Sequence, residues 1–311
     1  MEKRRVGPIC CSKTALGNPM IAMQVIGGLG NQMFQYAAGR ALAERNRLPL
    51  VLDTSSFGSY KLHNGFELKR IFAGSMTVAT AADMRFILGW RSIPAIRKLL
   101  LKPNAKLLKG KNIIVEPHYQ HWPGISRTPS LAYLSGYWQS EKYFKDSEAE
   151  IRQAFVFKQK MSDRNSCLAE GIQRANSVSI HVRRGDYVTN MSTKAVHGEC
   201  TLDYYRQAIR HVAEKLDQPK FYLFSDDIDW SRENLKLDFP HCYMDENFGI
   251  ESYNDMRLMS LCKHQIIANS SFSWWGAWLN RNPGKIVIAP HKWFRNDNDV
   301  SDLIPQSWTT I

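Results

Sequence analysis

No stretch of the 311 residues reaches the roughly 18 consecutive apolar positions that a membrane-spanning helix needs, so a spanning segment is excluded from the expected architecture. The first twenty residues carry charge but no apolar core, so a tail is the expectation there and not a secretory leader. Cysteine is sparse: Cys10, Cys11, Cys167, Cys200, Cys242 and Cys262 have neither zinc-site spacing nor the density of a disulfide scaffold, and a reducing cytoplasm is the expected compartment. The nine histidines are scattered without metal-ligand spacing. A P-loop is missing, as is any zinc-finger, homeodomain or RNP-type signature, so nucleic acid is not an expected partner despite a net charge of +12. Repeats and low-complexity tracts are absent as well.

What is present is an ordinary globular composition, 44% hydrophobic and 23% charged, over a length that predicts two domains. The expected division is a tail over 1–20, a first domain over 21–165 and a second over 166–311. Charge is divided unequally: residues 1–160 hold 24 Lys/Arg against 10 Asp/Glu, and residues 161–311 hold 17 against 19. Between Arg85 and Lys111 eight basic residues, Arg97, Lys98 and Lys102 among them, interleave with apolar ones and no acid interrupts them. Such a surface could sit on an anionic membrane, through apolar insertion plus roughly 1 kcal/mol per basic residue. A solvated helical face is the plainer alternative.

Along the chain, apolar residues 21–26 run into Gly27-Gly28-Leu29-Gly30, then a helical pattern over 32–45 and a second apolar strand at 50–53, a βαβ opening. Residues 54–135 are less regular. A strand over 134–138 and a helix-like segment over 140–155 follow. In the second half, strands at 178–182, 221–224, 241–244, 265–269 and 285–289 alternate with helical patterns at 203–216, 251–262 and 273–280, which predicts a parallel sheet covered by helices.

Chemistry concentrates at strand ends. The strand carrying His181 delivers Arg183 and Arg184 to its carboxyl edge, where open α/β sheets bind ligands, and guanidinium forks suit a diphosphate. Asp186 is presented just beyond, as a candidate base. Asn269, Ser270, Ser271, Phe272 and Ser273 follow another strand and open a helix, a composition suited to an anion at the helix start or simply to a capping turn in front of Trp274, Trp275 and Trp278. Ser225 and Asp226 end a third strand. Their carboxylate neighbourhood could bind a divalent metal, but with arginine and a helix start available no metal is expected, and Asp226 is preferred as a partner for the N1 and N2 donors of guanine. His181 could contact the nucleotide or be a satisfied core histidine.

Gly28-x-Gly30, with Asp53 about 23 residues further on, invites a dinucleotide-dependent oxidoreductase reading. The third glycine of that fingerprint falls at Met33, and Asn31 and Gln32 instead place two amides at the helix start, better suited to a sugar or phosphate.

Taken together, residues 27–37 (GGLGNQMFQYA), 181–187 (HVRRGDY), 224–227 (FSDD) and 269–278 (NSSFSWWGAW) resemble the bacterial α-1,2-fucosyltransferases in order and spacing. The resemblance implies an α/β fold of GT-B type, two facing Rossmann-like domains with parallel sheets. It also implies GDP-β-L-fucose as a substrate donor, inversion to an α linkage on a galactose-containing oligosaccharide or lipid-linked glycan, and no metal or other cofactor. Arg183 is then the expected diphosphate ligand, assisted by Arg184, by the 269–273 turn and by Gly28, Gly30, Asn31 and Gln32 across the cleft. Asp186 is the candidate base, with His197 and Glu199 as alternatives. A fucosyltransferase of another linkage, or a transferase of another nucleotide sugar, is the neighbouring possibility.

Overall fold

The computed structural model describes residues 18–58, 63–100, 110–185, 198–295 and 299–311. Two parallel sheets organise them. The first contains β1 (Ile21–Gln24), β2 (Leu50–Asp53), β3 (Ile113–Val115) and β4 (Ala132–Ser135) in the order β2-β1-β4-β3. The second contains β5 (Asn176–Val182), β6 (Pro219–Ser225), β7 (His241–Met244), β8 (His264–Ile266), β9 (Val287–Ala289) and β10 (Thr309–Thr310), ordered β10-β9-β8-β5-β6-β7. The central strands β1 and β5 are buried almost throughout, and β1 reads as a short apolar run, whereas β5 (NSVSIHV) alternates Val and Ile with buried Ser and His.

Helices cover both sheets: α1 (Leu29–Asn46), α2 (Leu68–Ile71), α3 (Ala81–Leu88), α4 (Pro94–Leu100), α5 (Glu148–Ala154), α6 (Asp163–Arg174), α7 (Leu202–Ala213), α8 (Ile228–Asn234), α9 (Tyr253–Leu261) and α10 (Ser271–Leu279). Each sheet reverses its strand order once, beside β1 in the first and beside β5 in the second. In open parallel sheets such reversals create the crevice in which ligands bind, at the carboxyl ends of the flanking strands.

Helix α10 joins the two layers. Trp274, Trp275 and Trp278 are buried, and the first two pack on Phe34 of α1 with ring centroids 4.4 and 5.0 Å apart. Phe144 stacks on Trp275 at 5.5 Å, and Trp275 Nε1 donates to the Gly30 carbonyl at 3.0 Å. A single hydrophobic cluster therefore contains residues from both sheets and their covering helices.

Several boundaries differ from expectation. The strand expected at 134–138 ends at Ser135, because Gly136 and Trp138 adopt positive φ and turn the chain out of the sheet. The expected helix over 140–155 is two short 3-10 turns followed by α5. Residue 165 falls inside α6, which packs on α9 and β5. Asp53 is buried and bound by Arg97 at 3.1 Å, the Tyr133 hydroxyl at 2.9 Å and the Ser55 N–H, so it is no ribose ligand.

The basic segment is only partly a free surface. Arg97 is tied to Asp53 and Ser55, while Phe86, Trp90, Ile93 and Leu99 are exposed and Arg91 lies over the Trp90 ring. Lys102, Lys106 and Lys109 lie outside the described residues. No described helix is long and apolar enough to cross a membrane.

Candidate functional site

The turns leaving β1, β4, β5, β6, β7 and β8 converge on one cavity of about 760 Å³. Of the residues singled out in the sequence, Gly28, Gly30, Asn31, His181, Arg183, Ser225, Asp226, Asn269, Ser270, Ser271 and Phe272 line it. The strand reversals of both sheets thus open onto the same space. That volume suits a nucleotide-sized ligand.

On the second sheet, β5 carries Arg183 to the cavity wall, where its guanidinium meets Asp226 Oδ2 at 2.8 Å. Asp226 Oδ1 accepts the Arg184 N–H at 2.8 Å. The Arg184 side chain turns elsewhere: it binds Glu199 at 2.6 Å and Asp227 at 3.3 Å and stacks over Trp230 at 3.8 Å. Arg184 is therefore a positioning residue, locked by two carboxylates and a ring. Glu199 is committed to that pair. Asp227 caps α8 by accepting the Trp230 N–H. Asp186 and His197 lie outside the described residues.

His181 is buried, and burial pushes its imidazole down to about 4, with Arg183 acting in the same direction and Asp226 against it. It is a neutral hydrogen-bonding group at physiological pH, and its Nδ1 has no partner among the described residues.

The two helix starts meet face to face. A side chain at Gly30 would lie 2.5 Å from the Ser271 backbone, so glycine alone permits the contact. Helix α1 has no side-chain cap at Gly28, and α10 is capped by Ser270, whose Oγ accepts the Phe272 N–H at 3.3 Å. Both helix dipoles direct their positive ends into the cavity. Asn269 is buried and its amide grips the Gly198 and Trp293 carbonyls, fixing the turn.

Two expected ligands serve as scaffold instead. Gln32 is buried, donates to the Gly27 and Gly65 carbonyls and accepts the Glu67 N–H, bracing the glycine turn from behind. Ser273 is buried and donates to Ser270 O. Both lie in the first turn of their helices but on its core-facing side, while their neighbours Asn31 and Phe272 face the cavity.

Sequence reasoning missed much of the wall: His63, Asn64 and Glu67 before α2, Tyr119, Tyr137 and Gln139 near β4, and Asn247, Phe248, Ser252 and Asp255 around the start of α9. Burial raises the Asp255 carboxyl to about 7, against a 2.8 Å hydrogen bond from Asn247. Glu67 is raised by burial too, opposed by Arg70 and Asn64. A carboxylate in an apolar helical stretch, as Asp255 is, was the available signal. Among the described residues no three His, Cys, Asp or Glu side chains are grouped to hold a metal ion.

Residues 98–311 match the family model described as glycosyl transferase family 11. The alpha-1,2-colitosyltransferase of Escherichia coli is 36% identical over 296 residues, covering 94% of this chain and 99% of that protein. The O-antigen biosynthesis glycosyltransferase WbnK of Escherichia coli is 35% identical over 298 residues, covering 92% and 98%. Galactoside alpha-(1,2)-fucosyltransferase 2 of Hylobates lar is 28% identical over 284 residues, covering 88% and 74%. Among solved structures, the alpha-1,6-fucosyltransferase NodZ of Bradyrhizobium, soaked with GDP-fucose, superposes with a TM-score of 0.52 at 18% identity, covering 86% of this chain and 97% of that one. FUT1 of Arabidopsis thaliana in complex with GDP gives 0.53 at 12% identity, covering 88% and 71%. These likenesses are of fold, and the fold is GT-B.

Proposed function

Since this chain belongs to glycosyl transferase family 11, we propose that it transfers L-fucose from GDP-β-L-fucose to the 2-hydroxyl of a galactoside, with inversion, in the synthesis of a surface glycan. The observation that carries the reading is the pairing of Arg183 with the α10 start at one cavity wall, a fixed cationic arrangement for a departing diphosphate. Relatives named for α-1,2 colitosyl and fucosyl transfer, and fold neighbours crystallised with GDP or GDP-fucose, support it.

In a single displacement the acceptor hydroxyl attacks the anomeric carbon, the bond to the GDP oxygen breaks, and the acceptor proton passes to a base. Arg183 carries the leaving charge, and its ion pair with Asp226 holds the guanidinium at the wall until phosphate oxygens compete for its donors. The neutral His181 supplies a hydrogen bond without adding charge. Asp186 remains the proposed base, and no metal is required.

A second donor, GDP-colitose, is favoured by the 36% identity to the colitosyltransferase. The test is incubation with each donor and a galactoside panel, with and without EDTA, reading the linkage by NMR. Transfer to O2 that survives EDTA is expected. No transfer from either donor, or attachment at another hydroxyl, would overturn the reading.

The proposed site of action is the inner face of the cytoplasmic membrane, with Phe86, Trp90, Ile93 and Leu99 beside Arg85 and Arg91 as the contact. Arg97 is unsuited to a charge-reversal test because it anchors Asp53. Reversal at Arg85 and Arg91 combined with Trp90→Ser should reduce sedimentation with anionic vesicles; unchanged sedimentation would remove the membrane contact.

A further inference from the structure

The geometry points to Glu116 as a positioning residue for the acceptor: its carboxylate holds the 136–138 turn so that the Tyr137 ring faces the cavity, a platform for the apolar face of the acceptor's galactose. The inference rests on the reading of this chain as a galactoside transferase and names the first-sheet residues that serve it.

Three costs coincide at this turn. Strand β3 ends at Glu116, whose Oε2 accepts the Tyr137 N–H at 2.7 Å and whose two oxygens each accept the Trp138 N–H at 3.0 Å. No lysine or arginine among the described residues pairs with that carboxylate, and burial pushes it up to about 7 against the two N–H bonds. Trp138 is buried with φ +55, a conformation unfavourable for a bulky residue. Gly136 is required, since a side chain there would come within 2.4 Å of Glu116 Cβ. An unpaired, half-buried charge and a strained backbone both lower stability, and folds concentrate such features where they place a functional group. Between these constrained neighbours Tyr137, 37% exposed, lines the cavity.

The turn is tied down at both ends. Gln35 Nε2 donates to the Gly136 carbonyl at 3.0 Å, and Gln139, which also lines the cavity, donates to Asn31 Oδ1 at 2.7 Å. Tyr119 is braced across the cleft against Phe294 at 4.7 Å, and Asn64 Nδ2 donates across it to the Gly249 carbonyl at 2.8 Å. Displacement with inversion requires the acceptor to approach the anomeric carbon from the side opposite the departing diphosphate. The proposed diphosphate end is the Arg183 and α10 wall of the second sheet, which leaves the first-sheet wall to the acceptor. A pyranose has a face of C–H bonds that packs on an aromatic ring, while its hydroxyls turn to polar neighbours such as Gln139 and Asn31.

The test is initial-rate kinetics on wild type, Glu116→Gln, Tyr137→Phe, Tyr137→Ala and the double variant Glu116→Gln with Tyr137→Ala, varying donor and galactoside in turn and following donor hydrolysis without acceptor. Tyr137→Ala should raise the galactoside KM roughly five- to tenfold and leave donor KM and donor hydrolysis within about twofold of wild type, whereas Tyr137→Phe, which keeps the ring, should leave all three within about twofold. Glu116→Gln keeps one acceptor oxygen but turns an amide donor towards the backbone N–H groups, and should raise the galactoside KM about threefold or more. The double variant should match Tyr137→Ala, because a residue that acts through the ring has nothing left to act on. A merely structural Glu116 would move donor and acceptor constants together or multiply with Tyr137→Ala, and either result overturns its assignment. An unchanged galactoside KM in Tyr137→Ala, or an equal rise in Tyr137→Phe, overturns the platform. Those outcomes leave the transferase reading standing; wild type that transfers to no galactoside overturns both. Should Glu116→Gln fail to fold, Glu116→Asp, shorter by one methylene with the charge kept, takes its place in the same cycle.

Discussion

Adjacent residues in one motif carry separable duties, and substitution should part them. Arg183→Ala removes the proposed donor to the leaving diphosphate and should lower kcat about 10²–10³-fold, with circular dichroism unchanged. Arg184→Lys should lower the melting temperature instead, since one ammonium cannot span Glu199 and Asp227 while lying on Trp230. The glycines split likewise. Gly30→Ala must push a helix start off Ser271 and should cost about 1–3 kcal/mol in urea unfolding. Gly28→Ala meets nothing nearer than His63 at 3.5 Å and should be close to neutral. Asp255 and Glu116 both sit at about 7 through burial, so the folded protein retains protons that the unfolded chain has released. Their contribution to stability is complete below about pH 4 and is lost as pH rises through about 7. His181 and His264, lowered by burial, act in the opposite sense, so the informative quantity is wild type minus Asp255→Asn or Glu116→Gln. That difference should decline between pH 5 and 8; a flat profile would contradict it.

Elements were legible where one period dominates and a turn residue marks the end. Strands β1, β2, β5, β6 and β7 emerge within two residues of their expected bounds because each holds closely spaced β-branched, aromatic or other apolar residues that end at a polar or turn residue. Strand β3 is an apolar run of only three residues, too short to stand out in an irregular stretch, and α6 hides because its polar face dominates the composition. The Arg183 wall could be read because each motif follows its strand directly. The opposite wall could not: Tyr119, Tyr137 and Gln139 reach the cavity through turns whose paths depend on tertiary packing. At α10 the capping reading holds, and the residues of the proposed anion site line the cavity beside the cap. Ser270→Ala should cost about 1 kcal/mol through the lost cap, measured by urea unfolding, and should also weaken GDP binding.

Across the whole molecule, two sheets that look like separable domains in sequence share one aromatic core through α10. Unfolding should accordingly be a single transition, with tryptophan fluorescence and far-UV circular dichroism coinciding; two resolved calorimetric peaks would contradict it. Residues 166–311 expressed alone should not fold, because Trp274, Trp275 and Trp278 would lose the packing that Phe34, Phe144 and Phe155 provide. The contact between Gly30 and Ser271, reinforced by Trp275, pins the two helix starts together, while at the rim the Asn64 amide bonds the Gly249 carbonyl. Under the proposed reaction that amide is a latch on the departing nucleotide, set at the rim, far from the bond that is broken.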